Sequence, residues 1–185
     1  MLSETSADFF GYYPGTVALV TAIYQGQRNV MAAGWHTALS SEPPLYGVAI
    51  GRERATYGLI AASGEFGVNF VPAKQARAIQ GGGVLSLHDG ADKFAALGLT
   101  PLPEQPLALR EAYLAYHCRL TATLPVGDHD LFVGQVQRTH FDPAQYDERR
   151  LFVGQAAIYL GRSEYVTSGA ARQSFPPQLY RPEEG

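Results

Sequence analysis

The feature that most constrains this chain is a long alternating stretch that is followed by a turn and a second apolar stretch. In residues 113–124 apolar residues recur at every second position, with His117, Arg119, Thr121 and Thr123 between them. A period of two is typical of a β-strand with one buried face. Residues 125–130 are rich in turn formers, and residues 131–140 can return as the partner strand. The pattern therefore predicts a long antiparallel hairpin.

Shorter strand-like segments precede this hairpin; residues 16–24 are apolar on both faces, whereas the alternation in residues 65–71 predicts one buried face. The pattern predicts strands at residues 16–24, from Asn29 and at residues 45–50 and 65–71, and short helices at residues 57–62, 72–80 and 92–97. Gly81, Gly82 and Gly83 are expected to end the second helix as a flexible joint, and the prolines of residues 99–109 predict a surface crossing. Many strands with few short helices predict a mainly β fold, an antiparallel barrel with helical inserts.

Composition limits the classes of function. With 185 residues, 46% of them hydrophobic, the chain is expected to form one domain with a core at residues 12–165 and a C-terminal tail at residues 166–185. The net charge of -3 argues against a nucleic-acid partner. A single cysteine, Cys118, leaves no internal disulfide and favours a reducing, cytoplasmic compartment. No signal peptide, membrane span or metal-ligand spacing of the histidines is predicted.

Residues 29–57 combine groups that suit a flat anionic ligand. Ala33 and Gly34 leave the backbone reachable, and Trp35 and His36 offer ring faces. Hydroxyl groups follow in what reads as a turn, at Thr37, Ser40 and Ser41. The segment therefore predicts a ligand site, although Trp35 is equally compatible with a subunit interface.

A basic segment leads from the next strand into a helix. Arg52, Arg54 and Thr56 stand where a helix N-terminus exposes unpaired N–H groups, which is the outline of a phosphate site. Each arginine alone is more often a solvated surface charge, and only the combination favours a ligand. Neither the dinucleotide-binding glycine fingerprint nor a Walker-type lysine motif is present.

Several segments together resemble one known family. They are Tyr13-Pro14, NVMAAGWHTALSSEPPLYGVAI (29–50), RATYGLI (54–60), SGEFGVNF (63–70), DKFAALGLT (92–100) and VGDHDLFVGQV (126–136). In this order and spacing they are similar to the flavin reductase family of FMN-binding split-barrel proteins, which includes flavoredoxins and the reductase components of two-component monooxygenases. The resemblance covers residues 12–165 and implies a homodimeric split β-barrel that holds FMN and takes hydride from NADH or NADPH.

The resemblance also implies roles for individual residues. Residues expected to line the flavin are Ala33, Gly34, Trp35, His36, Thr37, Ser40, Ser41, Ile50 and Lys93. Residues expected at the phosphate are Arg52, Arg54 and Thr56, and those expected at the nicotinamide are Gly127, Asp128 and His129. His129 is the expected catalytic residue, because a histidine at a tight turn can hydrogen-bond a carboxamide.

The resulting prediction is an NAD(P)H:flavin oxidoreductase that passes electrons to free flavin, oxygen, a ferric chelate or a monooxygenase partner. The alternative is an FMN-holding electron carrier that a partner protein reduces. Gly127, Asp128 and His129 favour the enzyme. A barrel relative that binds pyridoxal phosphate or haem is a third possibility.

Overall fold

The computed structural model describes residues 2–7, 10–11, 13–169 and 173. Its strands are β1 (Gly15–Thr16), β2 (Ala18–Tyr24), β3 (Gln27–Ala33), β4 (His36–Ser41), β5 (Pro44–Gly51), β6 (Glu65–Phe70), β7 (Pro101–Leu102), β8 (Gln105–Leu109), β9 (Leu114–Val126), β10 (His129–Phe141), β11 (Ala157–Gly161) and β12 (Glu164–Thr167). Its α-helices are α1 (Ala55–Ser63), α2 (Ala76–Val84) and α3 (Lys93–Leu97).

Seven strands form one antiparallel sheet in the order β3-β2-β6-β9-β10-β5-β4. The two edge strands, β3 and β4, are consecutive in the chain and are joined by Gly34 and Trp35 alone. The sheet must therefore curl until its edges approach each other. This confirms the mainly β split barrel with short helical inserts, and it places the β3–β4 connection at the opening of the barrel.

The long hairpin predicted from the alternating stretch is confirmed. Strands β9 and β10 pair from His129 opposite Val126 to Phe141 opposite Leu114. The turn holds only Gly127 and Asp128, and Gly127 has a φ of 72°, which a glycine adopts at little cost. The register also pairs His129 with Gly51 on β5. His129 therefore lies beside the loop that leads into α1.

Two apolar cores stabilise the barrel. The interior core is closed by α1 and contains Val20, Val48, Ile60, Phe66 and Phe132, all fully buried. Each such side chain contributes about 1.5–3 kcal/mol relative to leaving it exposed. The second core lies between α2, α3 and the outward face of β2 and β3. The second core fixes both helices against the strand that leads to the β3–β4 connection.

The second helix extends beyond its predicted end at residue 80. Gly81, Gly82 and Gly83 lie inside α2 and are no flexible joint. A Cβ atom at Gly81 would stand 2.3 Å from Leu97 Cδ2, and one at Gly82 would stand 3.2 Å from the backbone nitrogen of Ala32. The glycines thus permit close packing of α2 on α3 and β3.

Three further expectations were wrong. The hydroxyl-bearing residues 36–41 form edge strand β4, because they pair with β5. Strand β6 is buried on both faces instead of one. Residues 99–109 contain the small hairpin β7–β8, with Pro103 in its turn and Pro101 at its start. A buried network holds β8 in place, since Asn69 Nδ2 donates to the Leu107 carbonyl at 3.1 Å and the Leu109 N–H donates to Asn69 Oδ1 at 2.8 Å.

Of the expected tail, residues 166 and 167 belong to β12, while residues 170–172 and 174–185 lie outside the described residues. Within the part of the chain that is described, no helix has both the length and the apolar character needed to cross a membrane.

Candidate functional site

A pocket of about 580 Å³ lies where β3 ends, α1 begins and α2 ends. Its volume falls within the range of about 300–1,000 Å³ that is usual for small-molecule sites. His129 and the turn between β11 and β12 complete its wall. The residues predicted for the site that line this pocket are Ala33, Gly34, Trp35, Arg54, Thr56, Lys93 and His129.

Lys93 brings a buried positive charge to the pocket. Its side chain is 4% exposed, and Nζ donates a hydrogen bond to the Gly82 carbonyl at 2.9 Å. Burial, with a smaller contribution from the nearby Arg54 guanidinium, lowers the pKa of Lys93 to about 8. The ammonium therefore predominates at neutral pH, and it can donate up to three hydrogen bonds. A buried cation of this kind favours an anionic ligand.

The N-terminus of α1 provides a second group of donors. No side chain of the described residues caps this helix, and its first turn contains no acidic residue. Its leading N–H groups and the positive end of the helix dipole are therefore available to an anion. Arg54 precedes the helix and pairs with Glu53, with Nε 3.0 Å from Oε1. The arginine is half exposed, so it can turn toward a ligand at the pocket mouth.

Asn29 is a pocket residue that the sequence patterns did not assign to the site. It is 2% exposed, and Nδ2 donates to Thr56 Oγ1 at 2.9 Å, while Oδ1 has no hydrogen-bond partner among the described residues. A buried oxygen without a donor carries a desolvation cost of about 1–3 kcal/mol that a ligand N–H would remove. Its sequence signal is an asparagine within a strand, where that residue type is depleted.

Two aromatic rings meet at the rim of the pocket. The ring centroids of Trp35 and His129 are 4.8 Å apart, and the Trp35 side chain is 42% exposed. His129 Nδ1 lies 2.8 Å from Asp128 Oδ1, and this hydrogen bond lowers the pKa of Asp128. With Nδ1 held by the carboxylate, Nε2 is the ring atom left to contact a ligand.

The remaining predicted residues lie away from the pocket. His36 faces the interior, where Nδ1 accepts from the Tyr46 hydroxyl at 2.8 Å, Nε2 donates to the Thr16 carbonyl at 3.1 Å, and burial lowers its pKa. Ile50 is fully buried in the interior core. The others lie on edge strand β4, on the loop after β5 and in the β9–β10 turn: Thr37, Ser40, Ser41, Arg52, Gly127 and Asp128.

The comparison with known proteins decides the family. A model of the flavin reductase like domain matches residues 10–166, which is most of the chain. This chain belongs to the flavin reductase-like family. It is 34% identical over 175 residues to an uncharacterised protein of Pyrococcus abyssi, covering 92% of this chain and 96% of that protein.

Two relatives with descriptive names extend the comparison. An NADH:riboflavin 5′-phosphate oxidoreductase of Streptomyces pristinaespiralis is 32% identical over 152 residues, covering 77% of this chain and 80% of that protein. An FMN-binding protein of Thermus thermophilus has a similar structure, with a TM-score of 0.83 and 30% identity, covering 94% of this chain and 97% of that one. The family and the barrel are thus established together.

In this member of the flavin reductase-like family, Arg52 has an internal partner. Its Nε donates to Asp130 Oδ1 at 3.0 Å, and the Tyr57 hydroxyl donates to Asp130 Oδ2 at 2.7 Å. The Asp130 side chain is nearly buried. These contacts tie the loop after β5 and helix α1 to β10, which positions the first turn of α1 against the barrel.

Replacing Asp130 with asparagine is expected to lower the thermal unfolding midpoint at pH 7. The hydrogen bonds from Arg52, and then from Tyr57, lower the pKa of Asp130 from 3.8. Because the carboxylate is favoured in the fold, its stabilisation is complete above the unfolded pKa and is lost as the pH falls through the folded value. The difference from wild type should therefore shrink below about pH 4. Asp89→Asn, at an exposed position, is the control. If the unfolding midpoints of Asp130→Asn and wild type differed by the same amount at pH 7 and pH 3, the carboxylate of Asp130 would have no such stabilising role.

Proposed function

We propose that this chain binds FMN in the pocket and acts as an NAD(P)H:flavin oxidoreductase. The observation that carries the proposal is the pairing of a buried ammonium, Lys93, with a buried acceptor without a partner, Asn29 Oδ1, in one pocket. FMN has a ring N–H to donate and a terminal phosphate to be bound. Family membership and the named relatives support the same ligand.

The pocket residues fit the parts of FMN. Asn29 would accept from a ring N–H, and Ala33 and Gly34 leave the backbone open to a flat ring. Arg54 and the leading N–H groups of α1 would hold the phosphate. Lys93 would supply a further positive charge to the bound anion. When bound, FMN supplies the chemistry, which is hydride acceptance from a reduced nicotinamide and electron delivery to an acceptor.

The rim of the pocket suits the nicotinamide. Trp35 offers an exposed ring face, and His129 offers Nε2 at the end of a rigid hairpin. Together they would orient the carboxamide-bearing ring and restrict water at the reacting face. His129 is accordingly the proposed residue for positioning the hydride donor.

A second copy of the chain is the proposed partner. Leu39 and Leu124 are 43% and 50% exposed on the barrel exterior. Leu131 pairs in register with Leu124 and Ala49, so these side chains share one outward apolar face. We expect light scattering to give the mass of a dimer, and Leu39→Glu with Leu124→Glu to give a monomer. A monomeric wild type would contradict the homodimer. The monooxygenase partner implied by the family resemblance stays a prediction.

The function is tested by mixing the FMN-loaded protein with NADH or NADPH without oxygen and following the flavin absorbance. The proposal predicts bleaching with at least one of the two nucleotides. Bleaching with neither would leave an FMN-holding carrier that a partner protein reduces. Subsequent addition of free flavin, oxygen or a ferric chelate would identify the electron acceptor by the return of the absorbance.

Replacing Arg54 with glutamine is expected to weaken FMN binding roughly tenfold. A charge-assisted contact to phosphate contributes about 1.5–3 kcal/mol, and the low end applies because Arg54 is half exposed and already paired with Glu53. Calorimetric titration of the apoprotein measures the effect. Arg77→Gln, at an exposed position on α2, is the matched control. Equal affinity of both variants for FMN would remove Arg54 from the phosphate site.

A further inference from the structure

The turn between β11 and β12 forms part of the pocket wall, and no family motif pointed to it. Arg162 and Ser163 are its two central residues, because Gly161 pairs with Glu164. Their φ angles are 48° and 68°, both in the left-handed region. A two-residue hairpin turn with two positive φ angles is a type I′ turn. Arg162 and Gly161 both line the pocket.

The residues in this turn are poorly suited to its backbone. Type I′ turns strongly prefer asparagine, aspartate and glycine, because other side chains are strained at positive φ. The β2–β3 turn offers a comparison within the same chain. It consists of Gln25 and Gly26, with φ angles of 48° and 80°, so glycine takes its second position. The turn at the pocket retains side chains at both positions, and such strain tends to cluster at functional sites.

A side-chain clamp holds this turn against α2. Gln80 Nε2 donates to Ser163 Oγ at 3.0 Å, and the Tyr165 hydroxyl donates to Gln80 Oε1 at 3.0 Å. Gln80 lies on α2, just before the glycines that line the pocket. These hydrogen bonds hold the turn against α2. Arg162 therefore has a defined position at the pocket.

The described cations of the pocket fall into two groups. Arg54 and Lys93 form one group, since the Arg54 charge contributes to the lowered pKa of Lys93. Arg162 belongs to a different element, the β11–β12 turn. FMN has a single phosphate, which the N-terminus of α1 together with Arg54 and Lys93 would bind. Arg162, on a separate element of the pocket, therefore suits a second anion.

We propose that Arg162 binds a phosphate of the nicotinamide dinucleotide and so distinguishes the dinucleotide from simpler hydride donors. The inference rests on the proposed function for the identity of the ligand. It assigns a recognition role to the β11–β12 turn, whereas Lys93 and Arg54 serve the flavin. A guanidinium suits this role because it binds phosphate oxygens in a bidentate manner.

The test uses the FMN-loaded protein and the variant Arg162→Gly. Glycine removes the guanidinium and relieves the positive-φ strain, so the unfolding midpoint should stay equal or rise. Gln25→Gly relieves the same strain in the remote β2–β3 turn and serves as the control. Two readouts are compared, namely calorimetric binding of ADP-ribose and reduction by NADH or by the phosphate-free donor 1-benzyl-1,4-dihydronicotinamide.

The proposal predicts that Arg162→Gly weakens ADP-ribose binding and lowers kcat/KM for NADH, each by roughly tenfold or more. Reduction by the phosphate-free donor and the affinity for FMN should stay as in wild type. A loss confined to NADPH and 2′-phospho-ADP-ribose would assign Arg162 to the 2′-phosphate, which equally supports the proposal.

An equal loss with the phosphate-free donor, or weakened FMN binding, would show that Arg162 serves the flavin and would overturn the inference. Unchanged binding of both ADP-ribose and 2′-phospho-ADP-ribose, or no binding of either by wild type, would also overturn it. The failure of the proposed function has a separate signature. In that case neither NADH nor NADPH bleaches the flavin, while ADP-ribose binding still depends on Arg162.

Discussion

The variant Lys93→Met is expected to bind FMN roughly thirtyfold or more weakly than wild type, because it removes a buried charge–anion contact of at least about 2 kcal/mol. Methionine matches the apolar stem of the lysine out to Cε and lacks only the terminal nitrogen, so packing in this buried site is largely kept. The lost interaction is then the ammonium itself. Calorimetric titration of the apoprotein at pH 7 measures the change.

The same residue should make FMN binding depend on pH. A bound anion stabilises the ammonium and raises its pKa above the value of about 8 that burial gives it in the free protein. Binding is therefore strongest below that value and weakens as the pH rises through it. The Lys93→Met variant should lose this dependence between pH 7 and pH 10. Above about pH 6 the phosphate is already a dianion, so its own titration does not interfere.

The chain offers a matched control for this prediction. Lys74 is its only other lysine and lies exposed just before α2. Lys74→Met changes the net charge equally and should leave both the affinity for FMN and its pH dependence as in wild type. If the two variants lose affinity to the same extent, net charge explains the effect and Lys93 has no specific role.

The variant His129→Ala is expected to slow reduction by NADH roughly ten- to a hundredfold while FMN binding is retained. The expected loss reflects orientation of the hydride donor, to which small displacements are very costly. His129 ends a hydrogen-bonded hairpin, contacts the Trp35 ring and is held by Asp128, so its position is well defined. Stopped-flow measurement of flavin bleaching without oxygen gives the rate.

A comparison of donors separates His129 from Arg162. The phosphate-free donor carries the same carboxamide as NADH, so His129→Ala should slow reduction by both, whereas Arg162→Gly should affect the dinucleotide alone. His140→Ala, on β10 far along the hairpin from its turn, is the control for loss of an imidazole. Equal reduction rates for His129→Ala and wild type would exclude His129 from the reaction.

The fold was predictable where local pattern and packing agree. The alternation before residue 125 predicts β9 because one face of that strand is apolar and its turn contains a glycine. The glycines of α2 misled the same reasoning, since their use is a close approach to Leu97 and Ala32, which sequence spacing does not show. The strand β4 was missed because its hydroxyl groups resemble those of a turn while its pairing with β5 determines its structure.

The site was predictable only in part, because contacts between residues distant in sequence determine which side chains reach the pocket. Arg52 and Arg54 are nearly equivalent in sequence, yet Asp130, 78 positions away, holds the first and leaves the second at the pocket. Asn29 depends on Thr56, 27 positions away, for its orientation, and its unpartnered oxygen is visible only in three dimensions. Lys93 and His129 line the pocket, and only the family resemblance assigned them to the site, since neither stands out by spacing.

The most direct measurement follows the emission of Trp35, the single tryptophan of the chain, as FMN is added to the apoprotein. Trp35 lies at the rim of the pocket, so a flavin bound there should quench its emission. We expect saturable quenching at one FMN per chain, weakened by Lys93→Met and unaffected by Lys74→Met. Flavin binding that leaves the Trp35 emission unchanged, or that is indifferent to Lys93, would contradict this location of the cofactor.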